Sequence, residues 1–97
     1  MDVVGREVLE DLKRAYPDVR GRADAWLQEA MEATWTRPND VKKTYASASI
    51  LSGNRMVFDF GKRYRLVVRI AYRTGKVMIL RAGTHAEYDR WDLSREE

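Results

Sequence analysis

The ten residues 63–72, RYRLVVRIAY, limit what this chain can fold into more than any other stretch. The even positions are Tyr64, Leu66, Val68, Ile70 and Tyr72, all apolar or aromatic. The odd positions are Arg63, Arg65, Val67, Arg69 and Ala71. A period of two belongs to a β-strand, and this one must lay its even face on a helix layer and turn three arginines the other way. Such a stripe is either a solvated outer face or a seat for phosphates, whose oxygens match the forked donors of guanidinium.

The neighbouring segments supply the rest of a sheet. Gly53-Asn54 separates alternating residues 47–52 from 55–60, Gly61-Lys62 marks a second reversal and Thr74-Gly75 a third. The reading is four sequential antiparallel strands near 47–52, 55–60, 63–72 and 77–83, with residues 1–4 short enough for an added edge strand. A three-residue loop Arg73-Thr74-Gly75 would pair Tyr72 with Lys76 and set Arg81 opposite Val67, on the arginine face. A two-residue turn would instead bury the Arg81 guanidinium under the helices, which is costly.

The first third is helical. Val8, Leu9, Leu12, Ala15 and Tyr16 recur at three- and four-residue spacing until Pro17, and Ala23, Trp26, Leu27, Ala30, Met31 and Thr34 form a second stripe. An antiparallel helix pair joined through Tyr16–Arg20 is the simplest arrangement. Pro38-Asn39-Asp40 offers turn and cap chemistry before a short helix over 41–45. The fold class is therefore α+β: a small antiparallel sheet backed by two N-terminal helices, with a short C-terminal helix.

At 97 residues one domain is expected, and the tail from Ser94 to Glu97 reads as loose. The absence of cysteine excludes disulfides, thiolate metal sites and cysteine nucleophiles, and a single histidine argues against a histidine metal cluster. No apolar run is long enough to span a bilayer and the N-terminus lacks a signal-peptide pattern, so a cytoplasmic location is expected. The net charge of +3 hides a strong asymmetry. Between Arg55 and Arg81, eight cations face Asp59 alone, a charge of +7 that leaves −4 for the remainder. One face is built for a polyanion.

The stretch after the last strand carries chemistry. In GTHAEYD, Thr84 and Glu87 have capping-box spacing, which makes Thr84 the N-cap and His85 the first helical residue. A helix N-terminus disfavours an imidazolium, so His85 can accept a proton there, and Tyr88 lies one turn on along the same side. Cleavage of RNA through its own 2′-hydroxyl needs only a base, an acid and cations around the phosphorane. Arg65, Arg81, His85 and Tyr88 can fill these roles, with Lys42, Lys43, Asn54, Lys62, Arg63 and Arg69 as candidate RNA contacts.

The segment GNRMVFDFGKRYRLVVRIAYRTGKVMILRAGTHAEYDRWD resembles the HigB-type mRNA interferases, toxins of bacterial toxin–antitoxin pairs in the RelE/ParE superfamily. THAEYD after an arginine-bearing strand is the most specific piece, followed by KRYRLVVR. The resemblance extends more weakly to AYP at the first helix end and to PNDVKKTY. It implies a RelE-like fold, ribosome-dependent cleavage of mRNA and neutralisation by a HigA-type helix-turn-helix antitoxin; no cofactor is expected, and the lack of paired carboxylates on the basic face argues against a magnesium site. By position the family's motif falls on Tyr64, Arg65, Arg81, His85 and Tyr88, with no glutamate base matching those of wider relatives. Two other readings stand beside it: a non-catalytic nucleic-acid-binding or adaptor domain on the same face, and a relative that poisons a protein target such as DNA gyrase.

Overall fold

A computed structural model describes residues 1–91; the tail from Ser94 to Glu97 lies outside them. The chain runs through strand β1 (Asp2–Val4), helix α1 (Arg6–Ala15), a 3₁₀ turn at Pro17–Val19 and helix α2 (Arg20–Glu32). Helix α3 (Pro38–Thr44) leads into strands β2 (Ser49–Leu51), β3 (Arg55–Phe60), β4 (Tyr64–Ala71) and β5 (Lys76–Thr84), and helix α4 (His85–Arg90) follows directly. The sheet order is β1-β5-β4-β3-β2. The last four strands are sequential and antiparallel, as their hairpin turns require, whereas β1 joins β5 in parallel. That parallel pairing needs a crossover, and α1, α2 and α3 provide it.

Parity in β4 is as the alternation demands. Tyr64, Leu66, Val68 and Ile70 are buried in the core, while Arg65 and Arg69 are half-buried on the other face. Val67 and Val57 are also buried, so the arginine face is closed at its centre. Directly opposed pairs there read Arg55 with Arg69, Val57 with Val67 and Asp59 with Arg65. Long arginine stems flank the valine pair and can cover apolar surface while their heads stay wet.

Phe58 organises the helix side. Its ring meets Trp26 of α2 at 5.4 Å, Trp35 at 6.4 Å and Tyr45, just past α3, at 5.1 Å. Three separate segments of the helix layer are thus tied to one strand residue. Helix α2 ends two residues before Thr34, and Met31 is exposed, so the apolar stripe read from sequence is shorter than expected. Helix α3 begins at Pro38 rather than Val41, because proline's fixed φ suits the first helical position. Lys13 joins the first two helices through Asp24 at 2.6 Å. Gly5 turns the chain from β1 into α1 at φ +81°, where a Cβ would stand 2.6 Å from the Ile79 carbonyl oxygen. Only glycine fits that approach.

The β4–β5 connection differs from the expected one. Ala71 pairs with Lys76, so the turn is four residues, Tyr72–Gly75, rather than three. Uncorrected, that register would set Arg81 opposite Leu66, beneath the helices. A bulge intervenes: Val68 pairs with Ile79 but Val67 pairs with Arg81, leaving Leu80 as the extra residue. Arg81 therefore reaches the arginine face and is exposed, by a different route from the one the loop suggested.

Removing the Phe58 ring (Phe58→Ala) should lower the free energy of unfolding by about 3–5 kcal/mol, read by chemical denaturation. The alkaline limb of stability is also set. Burial raises the Tyr64 phenol above its ordinary value and the bond to Asp18 adds to it; burial acts likewise on Tyr45 and Tyr72. Hydrogen bonds to Asp24 and Glu10 raise Lys13. In each case the unfolded chain loses its proton at lower pH than the folded one. The stability from these groups is complete below about pH 10 and is lost as pH rises through the folded values. Melting temperature should fall above that point, and less steeply in Tyr64→Phe.

Candidate active site

The site is assembled where β4 begins and β5 ends. Gly61-Lys62-Arg63 forms a tight turn that pairs Phe60 with Tyr64, which sets Asp59 opposite Arg65. On the other side of β4, Arg65 faces Gly83 and Tyr64 faces Thr84. One further backbone bond, His85 N–H to the Arg63 carbonyl at 2.9 Å, carries the pairing into the first residue of α4. The capping box is complete: Thr84 Oγ1 accepts from the Glu87 amide at 3.1 Å, and Glu87 Oε1 accepts from the Thr84 amide at 3.0 Å. Helix α4 is thus clamped at its start, and His85 has a fixed origin.

Arg65 is the hub. Its Nε donates to His85 Nε2 at 3.2 Å and lies 3.1 Å from Asp59 Oδ1. Its guanidinium carbon sits 4.6 Å from the centre of the Tyr88 ring. Arginine can only donate, so His85 Nε2 is the acceptor and the neutral ring carries its proton on Nδ1. Tyr88 also packs edge-on against Trp91 at 5.8 Å, and the Arg81 guanidinium lies 5.5 Å over the Trp91 ring. Two arginines each lie over an aromatic ring of the same short segment, and one of them, Arg65, is bonded to His85. A cation over an aromatic face keeps its charge. Gly83 makes room: a Cβ there would stand 3.2 Å from Trp91 and 3.0 Å from a Glu87 oxygen.

A family model described as HigB toxin, the RelE-like toxic component of a toxin–antitoxin system, matches residues 19–91. The chain belongs to that family. A search of curated proteins finds no match to it. The match begins at the end of the 3₁₀ turn and takes in α2, α3, strands β2 to β5, α4 and Trp91, hence every residue of the cluster just described.

The other sequence candidates of this HigB-family toxin lie at varied distances from Arg65. Tyr64 points to the helix side, where its hydroxyl donates to both Asp18 oxygens at 2.9 Å and its ring meets Tyr16 at 4.9 Å. Arg63 is exposed, 3.7 Å from Asp18 and over the Tyr64 ring at 5.4 Å, and Lys62 is exposed beside it in the turn. Arg69 is half-buried opposite buried Arg55, four residues along β4 from Arg65, or roughly 13 Å. Asn54 sits in the β2–β3 turn at φ +59° and its carbonyl accepts from the Ile70 amide, at the far end of the sheet. Lys42 and Lys43 belong to α3, which packs on the helix side through Val41. The Lys42 ammonium is engaged by the Ala46 and Ala48 carbonyls, closing the α3–β2 loop.

Asp59 and Trp91 are the residues that sequence reasoning did not assign. Asp59 had a readable signal, since a three-residue Gly61–Arg63 turn places it against Arg65. Trp91 stands three residues after Tyr88, one helical turn on. Among the described residues no group of three or more His, Asp or Glu side chains converges, and no helix is long and apolar enough to cross a membrane.

The Arg65–His85 bond makes a spectroscopic prediction. Nitrogen-15 NMR of the neutral ring should show the Nδ1–H tautomer in the wild type, and Arg65→Met should release it towards Nε2–H. An Nε2–H ring in the wild type would contradict the geometry.

Proposed function

We propose that this toxin is a metal-independent endoribonuclease that cuts mRNA on the ribosome through the RNA's own 2′-hydroxyl. The observation that carries the reading is the contact of Arg65 Nε with His85 Nε2 at 3.2 Å, against the Tyr88 ring, whose neighbour Trp91 holds a second arginine, Arg81, over its face. Among the described residues, the polar contacts of Arg65 are at Nε, and its Nη groups are the ones we assign to a phosphate. Support also comes from membership of the HigB toxin family and from the +7 charge of residues 55–81.

The reaction follows from these positions. The scissile phosphate binds Arg65 Nη and Arg81, whose charges oppose the negative charge growing on the phosphorane. As the phosphate draws the guanidinium, His85 Nε2 turns from Arg65 to the 2′-hydroxyl and takes its proton. The 2′-oxygen bonds to phosphorus and the bond to the 5′-oxygen breaks, with the Tyr88 hydroxyl donating a proton to the departing oxygen. The products are a 2′,3′-cyclic phosphate and a 5′-hydroxyl end. DNA has no 2′-hydroxyl and is not a substrate. Asp59 holds Arg65 in place through Nε without occupying the edge that meets phosphate. Lys62, Arg63 and Arg69 extend the cationic track to neighbouring phosphates or ribosomal RNA. The partner that silences the toxin is a HigA-type helix-turn-helix antitoxin.

Two variants separate chemistry from charge. His85→Ala should keep RNA binding while mRNA cleavage in a translating extract, followed by primer extension, falls about 10²–10⁴-fold. Lys62→Ala should weaken binding at all sequences, leave cleavage of bound RNA unchanged and reduce the salt slope by about 0.7 per lost contact. Lys62 suits this test because it is exposed in the β3–β4 turn, outside both strand ladders. Both variants must unfold at the wild-type temperature. A folded His85→Ala protein that cuts at the wild-type rate removes histidine from the mechanism. A wild type that cuts no mRNA hands the site to the binding-module reading.

A further inference from the structure

Four side chains form one array on the arginine face: Arg65, Tyr88, Trp91 and Arg81. The Arg65 guanidinium carbon is 4.6 Å from the centre of the Tyr88 ring, and the Tyr88 and Trp91 rings meet edge-on at 5.8 Å. The Arg81 guanidinium then lies 5.5 Å over the Trp91 ring. Strand register explains why they meet. Gly83 pairs with Arg65 and Arg81 with Val67, so Gly83 and Arg81 stand two residues apart on the arginine face. The indole takes the place that a side chain at 83 would fill, since a Cβ there would stand 3.2 Å from Trp91 Cζ2. The chain reaches this spot because α4 ends at Arg90 and Trp91 turns to extended backbone, its amide donating to the Tyr88 carbonyl at 3.1 Å.

Core packing does not account for this tryptophan. Trp26 and Trp35 are buried, whereas Trp91 is half-buried and follows a helix that has no buried residue. Arg81 is the group that gains from it. Arg65 is half-buried and gripped at Nε by Asp59 and His85, while Arg81 is exposed on the strand. A long exposed side chain loses rotamer freedom when it is fixed on a ligand, and a partner that narrows that freedom beforehand lessens the loss. Indole is the strongest aromatic partner a cation can have.

We propose that Trp91 is a positioning residue that holds Arg81 so that it and Arg65 meet one scissile phosphate; the proposal rests on the endoribonuclease reading above. The charge of Arg81 attracts RNA whether or not the indole is present, so affinity depends on Trp91 only weakly. The phosphorane makes a stricter demand. Its growing charge is stabilised by donors already in place, and a displacement of about 1 Å can cost about 100-fold in rate. Loss of Trp91 therefore falls on the cleavage step and not on binding.

The test compares Trp91→Leu, which keeps apolar bulk without a ring, with Trp91→Phe, which keeps a ring. Both are checked for wild-type thermal unfolding. On mRNA already bound to ribosomes, Trp91→Leu should slow cleavage about 10- to 100-fold and change affinity by less than about twofold. Trp91→Phe should recover most of the rate. In an Arg81→Met background Trp91→Leu should add little, because both changes remove the same contact. A second arm needs neither activity nor a variant. A trinucleotide with 2′-deoxyribose at the cut is titrated into the wild type while the Arg65 and Arg81 Nε–H signals are followed by NMR. Both signals should move over the same concentration range, and in Trp91→Leu the Arg81 signal should lose its response. A folded Trp91→Leu protein that cuts at the wild-type rate overturns the positioning role and leaves the endoribonuclease standing. A full Trp91→Leu loss that persists on Arg81→Met overturns it too, since the indole would then act elsewhere. A wild type that cuts no mRNA while the trinucleotide moves both signals overturns the endoribonuclease and leaves the paired arginine seat. A trinucleotide that moves the Arg65 signal alone in the wild type overturns the pairing outright.

Discussion

Strand β4 is hydrogen-bonded along both edges, to β3 and to β5, and its two faces have opposite chemistry. A strand so placed cannot slip by one residue without carrying arginines under the helices and leucine into water. Everything else is referred to that register. It presents Leu66 and Val68 to the aromatic cluster around Phe58, and it sets Asp59 on one side of Arg65 and Gly83 on the other. Helix α4 starts from the same ladder through the His85–Arg63 backbone bond, so the histidine inherits its position from β4.

The site concentrates positive charge around one carboxylate, and the balance explains how Arg65 can be both held and available. Asp59 and His85 both meet the guanidinium at Nε, the end nearest the strand: His85 accepts the Nε–H and Asp59 Oδ1 pairs with the same nitrogen at 3.1 Å. The aromatic ring of Tyr88 supports the flat face. A planar cation fixed at one edge and one face has its remaining edge pre-oriented for an anion, which lessens the ordering entropy that binding must overcome. Lysine in the same position would be a point charge on a flexible stem and could not be gripped in this way.

Local signals in the sequence reached a good part of this arrangement. The alternation of residues 63–72, the glycine turns and the Thr84–Glu87 spacing each involve residues a few positions apart, and the structure carries all of them. Where the reading stopped, the partner was distant or the geometry irregular. The parallel pairing of β1 spans more than seventy residues and leaves no local period. Lys42 reads as an exposed cation on a short helix, yet it is drawn to two loop carbonyls that only the folded path of residues 45–48 brings to it. Met31 lies on the stripe read from the sequence, yet the buried line of α2 runs through Ala23, Trp26 and Ala30 and leaves Met31 exposed.

Sequence by itself determined which face of β4 is dry, that a cationic surface stands behind it, and that a histidine opens the last helix. These follow from nearest-neighbour geometry, a two-residue repeat and a cap, which operate before any long-range contact forms. Tertiary structure decided which groups meet. The β4–β5 turn has the wrong length to bring Arg81 to the arginine face, and the bulge at Leu80 restores it because a guanidinium under the helices would be desolvated without a partner. The junction of Asp59, Arg65, His85 and Tyr88 likewise exists only once three strands and a helix are in register. Registers between strands are set by burial summed over whole faces, and no single stretch of sequence contains that sum.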